Sequence, residues 1–132
     1  MKLVKAIIRP ERLEALKKTL EENGFSGMTI TGVRGRGEQS RIVLEYRGGL
    51  MMVGLIPKIQ VELVVNYYKV DHLVTLIMDS CRTGNLGDGK IFVLPAENAM
   101  CIRTIESLKE SPAYGTTGSG LYPLSDLKPI EE

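Results

Sequence analysis

The segment TGNLGDGK, residues 83–90, is the part of the chain best suited to binding an anion. Its three glycines let backbone amides turn toward a phosphate without obstruction from side chains, and Lys90 adds a positive charge directly after them. The full P-loop pattern G-x-x-x-x-G-K-[ST] is absent. The segment therefore predicts either a phosphate-binding turn or an ordinary tight turn between a helix and a strand.

Two further glycine-rich segments suggest binding. Residues 32–41, GVRGRGEQSR, interleave arginine with glycine, which suits phosphate, RNA or a loop in solvent. RNA is the weaker choice, since no aromatic residue is interleaved there. Residues 48–57, GGLMMVGLIP, place Met and Leu between glycines, which favours an adaptable docking surface. The alternatives are a hairpin arm or a strand packed against its neighbours.

Catalytic and metal-binding residues are sparse. Cys81, Cys101 and His72 are the only cysteines and histidine, too few for a disulfide framework or a zinc site. Cys101 is interpreted as a structural thiol rather than a nucleophile. Glu62 interrupts an apolar strand, either as an edge residue or as an acceptor at a site. We therefore expect a protein that is not an enzyme.

Length and composition agree with one small globular domain. The 132 residues are 43% apolar and 25% charged, with a formal net charge of +1. That balance argues against a nucleic-acid partner bound by bulk charge. The short apolar run at the N-terminus predicts no signal peptide, and no run of about 18 apolar residues predicts a membrane span. We expect a cytoplasmic protein with no direct membrane insertion.

The apolar periodicity predicts a doubled strand–helix–strand unit. Strands are expected over 3–8, 28–33, 58–65 and 90–94, with a short fifth over 100–104. Helices are expected over 10–22 and 70–81, and a long loop over 34–57. This order is that of an α+β, ferredoxin-like fold, in which both helices cover one face of an antiparallel sheet. A second subunit is expected to cover the other face.

After Glu106 the composition changes. Residues 111–120 are rich in Ser, Gly, Pro and Thr, as in linkers, and apolar residues return at 121–127. We therefore divide the chain into a domain over 1–106 and a C-terminal extension over 107–132, which is either flexible or docked.

Together these motifs resemble the PII signal-transduction protein family over residues 1–104. The matching segments are MKLVKAIIRP (1–10), GMTIT (27–31), YRG (46–48), PK (57–58), TGNLGDGKIFV (83–93) and IRT (102–104). The resemblance implies a homotrimer with an adenine nucleotide, ATP or ADP, in the cleft between subunits. It also implies that residues about 36–57 form a T-loop, which binds and releases a target transporter or enzyme.

Site residues follow from the same resemblance. Gln39 is expected to bind the Mg²⁺ that accompanies ATP, and Lys58 to face a 2-oxoglutarate carboxylate. The partner-binding residues of the loop are expected to be Tyr46, Leu50, Met51 and Met52. The nucleotide is expected to be bound by Ile7, Thr29, Gly35, Gly37, Glu38, Gln39, Lys58, Glu62, Leu63, Val64, Gly87, Asp88, Gly89, Lys90, Phe92 and Arg103.

The chain departs from the family pattern at three places. Glu38 and Ser40 stand where the family usually has cations, and Cys101 replaces a phosphate-contacting arginine. We therefore expect weaker ATP binding than is typical, with ADP or AMP less affected. Met51 replaces the tyrosine that many bacterial members have uridylylated, and a thioether cannot accept that group. Gly54 replaces an aspartate of the family pattern and makes the loop more apolar than usual, so a partner other than the usual ammonium channel is expected.

Two other functions are open at this stage. One is slow ATP hydrolysis, for which Glu38 is the only candidate base in the cleft. The other is a trimeric ferredoxin-like protein of the metal-tolerance type, which would lack nucleotide sensing. No cofactor is expected to be obligatory. The effector could equally be 2-oxoglutarate, bicarbonate or another small molecule.

Overall fold

The structure is a computed structural model that describes residues 1–37, 43–46, 48–52 and 54–103, with 43–46 and 49–52 described as backbone only. The extension over 107–132 therefore lies outside the described residues. The strands are β1 (Lys2–Ile8), β2 (Thr29–Gly35), β3 (Val43–Tyr46), β4 (Gly49–Met52), β5 (Ile56–Val65) and β6 (Lys90–Pro95). The helices are α1 (Leu13–Glu22) and α2 (Val70–Cys81), each preceded by a single 3₁₀ turn, Pro10–Arg12 and Tyr67–Lys69.

Four strands form one antiparallel sheet in the order β2-β5-β1-β6. With the two helices, this is the α+β ferredoxin-like arrangement that the sequence predicts. Pro10 lies in the first turn before α1, where no amide hydrogen is needed. Gly24 ends α1 in the left-handed region, with φ 83°.

One face of the sheet and the inner faces of both helices form an aliphatic core. Alternation along β1 and β5 turns every second side chain toward the helices. The buried residues of this core are Val4, Ala6, Ile8, Leu16, Leu20, Phe25, Val61, Leu63, Val65, Leu73, Ile77 and Cys81.

The other face of the sheet has no helix over it among the described residues. The register places Leu3 opposite Leu94, and Lys5 opposite both Phe92 and Glu62, so these side chains share that face. Phe92 and Leu94 are 46% and 40% exposed. We call this surface the open face. The expectation that a second subunit covers it remains a prediction.

The structure corrects two expectations about secondary structure. Residues 34–57 are not one loop, because β2 runs to Gly35, β5 begins at Ile56, and β3 and β4 form an antiparallel hairpin between them. The predicted fifth strand is also absent from the described part of 100–104. Met100 makes one isolated bridge and residues 102–103 form a turn. Ile102 is 99% exposed, so its side chain has no packing partner that would hold it in a strand.

Candidate anion-binding site

The glycine-rich turn connects α2 to β6 and adopts a conformation that depends on its glycines. Gly84, Gly87 and Gly89 have φ values of 85°, 95° and 101°, in the region that residues with a Cβ atom rarely adopt. The turn therefore depends on glycine at these three positions.

The carboxylate of Asp88 organises this turn. Its Oδ2 atom accepts hydrogen bonds from the backbone amides of Thr83 at 2.8 Å and Gly84 at 2.9 Å. Its Oδ1 atom accepts from the Thr83 hydroxyl and, at 3.0 Å, from Nε of Arg9. These bonds, led by that of the Thr83 hydroxyl, hold the pKa of Asp88 well below its ordinary value. Both carboxylate oxygens of Asp88 thus accept hydrogen bonds from the protein. A phosphate bound at this position would therefore be held by backbone amides of the turn.

Arg9 contributes to the turn from the end of β1. Besides Asp88, its Nη2 atom donates to the carbonyl of Leu86 at 2.5 Å. Arg12, three residues later, donates from Nη2 to the carbonyl of Arg82 at 3.2 Å, where α2 ends. Arg9 is not among the site residues predicted from the sequence. Its position directly before a proline, at the end of a strand, is the feature that could have indicated its role.

A cavity of about 560 Å³ lies between this turn, the end of β2 and the start of β5. That volume is within the range of small-molecule sites. It is lined by nine of the predicted nucleotide-binding residues, namely Ile7, Gly35, Gly37, Lys58, Gly87, Asp88, Gly89, Lys90 and Phe92. Residues from four separate segments therefore meet at one cavity, and their binding of a nucleotide remains a prediction.

The cavity lining is strongly positive among the described residues. Lys58, Lys90, Arg36 and Arg82 line it, against the single carboxylate of Asp88. The ammonium of Lys58 donates to the carbonyl of Gly87 at 2.6 Å. Burial, with a smaller effect of Arg9, lowers the pKa of Lys58. This charge distribution favours an anionic ligand.

The remaining predicted residues that the structure describes do not line this cavity. Thr29 lies opposite Glu62 on the open face, and Val64 lies on that face two residues along β5. Leu63 is 3% exposed and packs in the core, so only its backbone is available to a ligand. Arg103 is exposed, in the turn after β6. Glu38 and Gln39 lie outside the described residues.

The hairpin contains the predicted partner-binding residues. Tyr46 pairs with Gly49 at its end, and Leu50, Met51 and Met52 follow in β4. In the chain, the hairpin lies between β2 and β5, the two strands whose Gly35 and Ile56 line the cavity.

Comparison with known proteins gives a consistent result. The model of the family described as "Nitrogen regulatory protein P-II" matches residues 1–106. The chain is 49% identical over 111 residues to Nitrogen regulatory protein P-II 2 of Methanothermobacter thermautotrophicus, covering 84% of this chain and 96% of that protein. It is 41% identical over 111 residues to Nitrogen regulatory protein P-II of Pasteurella multocida, and 44% identical to that of Nostoc punctiforme, each covering 84% of this chain and 99% of the relative.

Proposed function

The chain belongs to the nitrogen regulatory protein P-II family, and from this membership we propose that it senses adenine nucleotides at the glycine-rich turn. In this proposal ATP and ADP compete for the cavity, and the hairpin reports the outcome to a target transporter or enzyme. The protein acts by binding and release rather than by catalysis.

The meeting of the glycine-rich turn with four cations around one cavity is the observation that supports this proposal most. Backbone amides in a turn with positive φ values bind phosphate oxygens well, because they point outward together. Lys90 begins β6 directly after the turn and is exposed, so it is available to the phosphates. Lys58 is half-buried, lines the cavity from β5 and donates to the carbonyl of Gly87 in the turn.

We propose that the site is completed by a second copy of the chain in a homotrimer. Thr29, Glu62 and Val64 form a group on the open face, away from the cavity of their own chain. Packing of open faces against each other would cover Phe92 and Leu94 and bring this group toward a neighbour's cavity. The adenine would then lie between subunits, with Arg103 contributing charge.

The effector we propose is 2-oxoglutarate, bound together with ATP and Mg²⁺. Asp88 is the only carboxylate among the described residues that line the cavity, and both its oxygens are engaged. The metal's oxygen donors are therefore expected to be ATP phosphates and Gln39. Lys58 suits a carboxylate of the effector, because it is a positively charged residue that lines the cavity.

ATP is expected to bind more weakly than is typical of the family. Glu38 adds a negative charge at the loop base, and Cys101 provides no cation. Repulsion grows with the charge of the phosphate chain, so ADP and AMP are less affected.

Isothermal titration calorimetry with ATP, ADP and AMP tests the proposal. We expect saturable binding of ATP and ADP, weakened about tenfold in Lys90→Ala, since a charge-assisted contact is lost. Lys18→Ala, with a side chain 79% exposed on α1, is the charge-matched control and is expected to bind like the wild type. Absence of heat with all three nucleotides at millimolar concentration would refute nucleotide sensing.

A further inference from the structure

We infer that Arg9 is a positioning residue for this site. Through its contact with Asp88, Arg9 holds the glycine-rich turn in its binding conformation. The effect of Arg9 on ATP affinity rests on the proposed function. Its effect on the conformation of the turn is tested separately, in the protein without nucleotide.

The guanidinium of Arg9 joins two parts of the turn to the end of β1. Its Nε atom donates to Asp88 at 3.0 Å, and its Nη2 atom donates to the carbonyl of Leu86 at 2.5 Å. The third nitrogen, Nη1, lies 3.9 Å from a carboxylate oxygen of Glu11. All three nitrogens thus lie near acceptors of the protein, and the side chain is only 18% exposed. Arg9 is therefore placed to act through Asp88 rather than on a ligand directly.

Asp88 passes this restraint on to the beginning of the turn. Its Oδ2 atom accepts the amides of Thr83 and Gly84, so the carboxylate connects the start of the turn to β1 through Arg9. Without Arg9 those amides keep their acceptor, but the acceptor loses its side-chain connection to the end of β1.

Arg9 also changes the electrostatics of the site. Asp88 lines a cavity proposed to bind phosphates, and an uncompensated carboxylate there would repel them. The ion pair at 3.0 Å offsets that charge. A lysine would retain the charge but cannot present two nitrogens in the planar fork that reaches Asp88 and Leu86 together. Arg9→Lys therefore removes the planar fork while it retains the positive charge.

The experiment compares the wild type with Arg9→Lys, Asp88→Asn and the double variant, with Lys18→Gln as a charge-removal control. The first readout is amide hydrogen exchange at Thr83 and Gly84 without nucleotide, with the amides of Leu16 and Val61 as core references. We expect Arg9→Lys to speed exchange at Thr83 and Gly84 by about tenfold or more, with the core references unchanged. The second readout is ATP affinity by calorimetry, which we expect to fall about tenfold in Arg9→Lys.

The double variant separates positioning from a general structural role. If Arg9 acts through Asp88, the double variant loses no more ATP affinity than Asp88→Asn alone. The inference would be overturned if the affinity losses of the two single variants multiplied in the double variant. It would equally be overturned if Arg9→Lys left exchange at Thr83 and Gly84 unchanged. Faster exchange at the core references as well would also overturn it, since the effect would be global. If the wild type binds no nucleotide, the proposed function fails, and the exchange rates still decide whether Arg9 restrains the turn.

Discussion

A Cβ atom on Gly89 would lie 1.7 Å from the carbonyl oxygen of Ile7. The glycine-rich turn therefore passes directly against the backbone of β1, the strand that ends at Ile8, directly before Arg9. This close approach is what places the turn, the end of β1 and the start of β5 around a single cavity. The contact is between backbone atoms, so no side-chain rotation can relieve it.

Gly89→Ala is expected to destabilise the protein strongly. The substituted residue would need a φ of 101° and would overlap the carbonyl of Ile7, at a combined cost of about 2 kcal/mol or more. Denaturant unfolding measures the change. Gly32→Ala is the matched control, because nothing lies within 4 Å of its added Cβ atom. We expect that variant to change the unfolding free energy by less than about 1 kcal/mol. Equal effects of the two substitutions would contradict the tight packing of the turn on β1.

Asp88 is expected to make the protein sensitive to acid. Its pKa in the folded protein is below its ordinary value of 3.8, so its stabilising effect is complete above that pH. The effect is lost as the pH falls from there toward the lower folded pKa. The unfolding free energy of the wild type should therefore fall more steeply below about pH 4 than that of Asp88→Asn. Glu14→Gln, at a side chain 83% exposed, should run parallel to the wild type. Parallel curves for all three proteins would show that Asp88 is not specifically stabilised.

Cys81 is expected to resist alkylation in the folded protein. Burial raises the pKa of this thiol to about 11. The positive charge of Arg12 opposes this effect, and the negative charge of Asp88 adds to it to a smaller extent. The thiolate is therefore scarce at neutral pH. In Cys101→Ser, iodoacetamide should label Cys81 slowly in buffer and rapidly in denaturant, as followed by mass spectrometry. Comparable labelling rates in the two solvents would contradict the burial of Cys81.

The open face is expected to be the trimer interface. The proposed homotrimer has a mass of about 44 kDa, three times the 14.6 kDa of the chain. Light scattering should give this mass for the wild type and a lower mass for Leu94→Glu. Val93→Glu changes a residue that is 47% exposed on the opposite side of the same strand, and it should keep the wild-type mass. A monomeric wild type, or dissociation by Val93→Glu alone, would refute this assignment of the interface.

Regular alternation made most of the fold predictable. Val4, Ala6 and Ile8 follow the period of a half-buried strand, and Leu73 and Ile77 follow that of a helix. A hairpin arm was one interpretation of residues 48–57, but the strands β3 and β4 themselves were not predicted, because glycines interrupt the periodicity there. The fifth strand was wrongly predicted for a different reason. Ile102 fits the strand pattern, but it is exposed and pairs with none of the described strands.

The glycine-rich turn is the part of the candidate site that a local motif indicates, since its glycines and Lys90 lie together and suit either an anion site or a tight turn. Other lining residues, such as Gly35 and Lys58, were predicted only from the resemblance to the family. Arg9 lies 79 residues from Asp88 and 77 from Leu86, so no local pattern indicates their contact. The burial of Leu63 likewise depends on which face of β5 meets the helices.

The central claim is that adenine nucleotides bind at the glycine-rich turn. Its most direct test is a titration of the isotopically labelled protein with ATP, followed by the backbone amide resonances. The account predicts saturable shifts that are largest at Gly84, Gly87, Gly89 and Lys90. Shifts confined to other parts of the chain, or none at millimolar ATP, would contradict it.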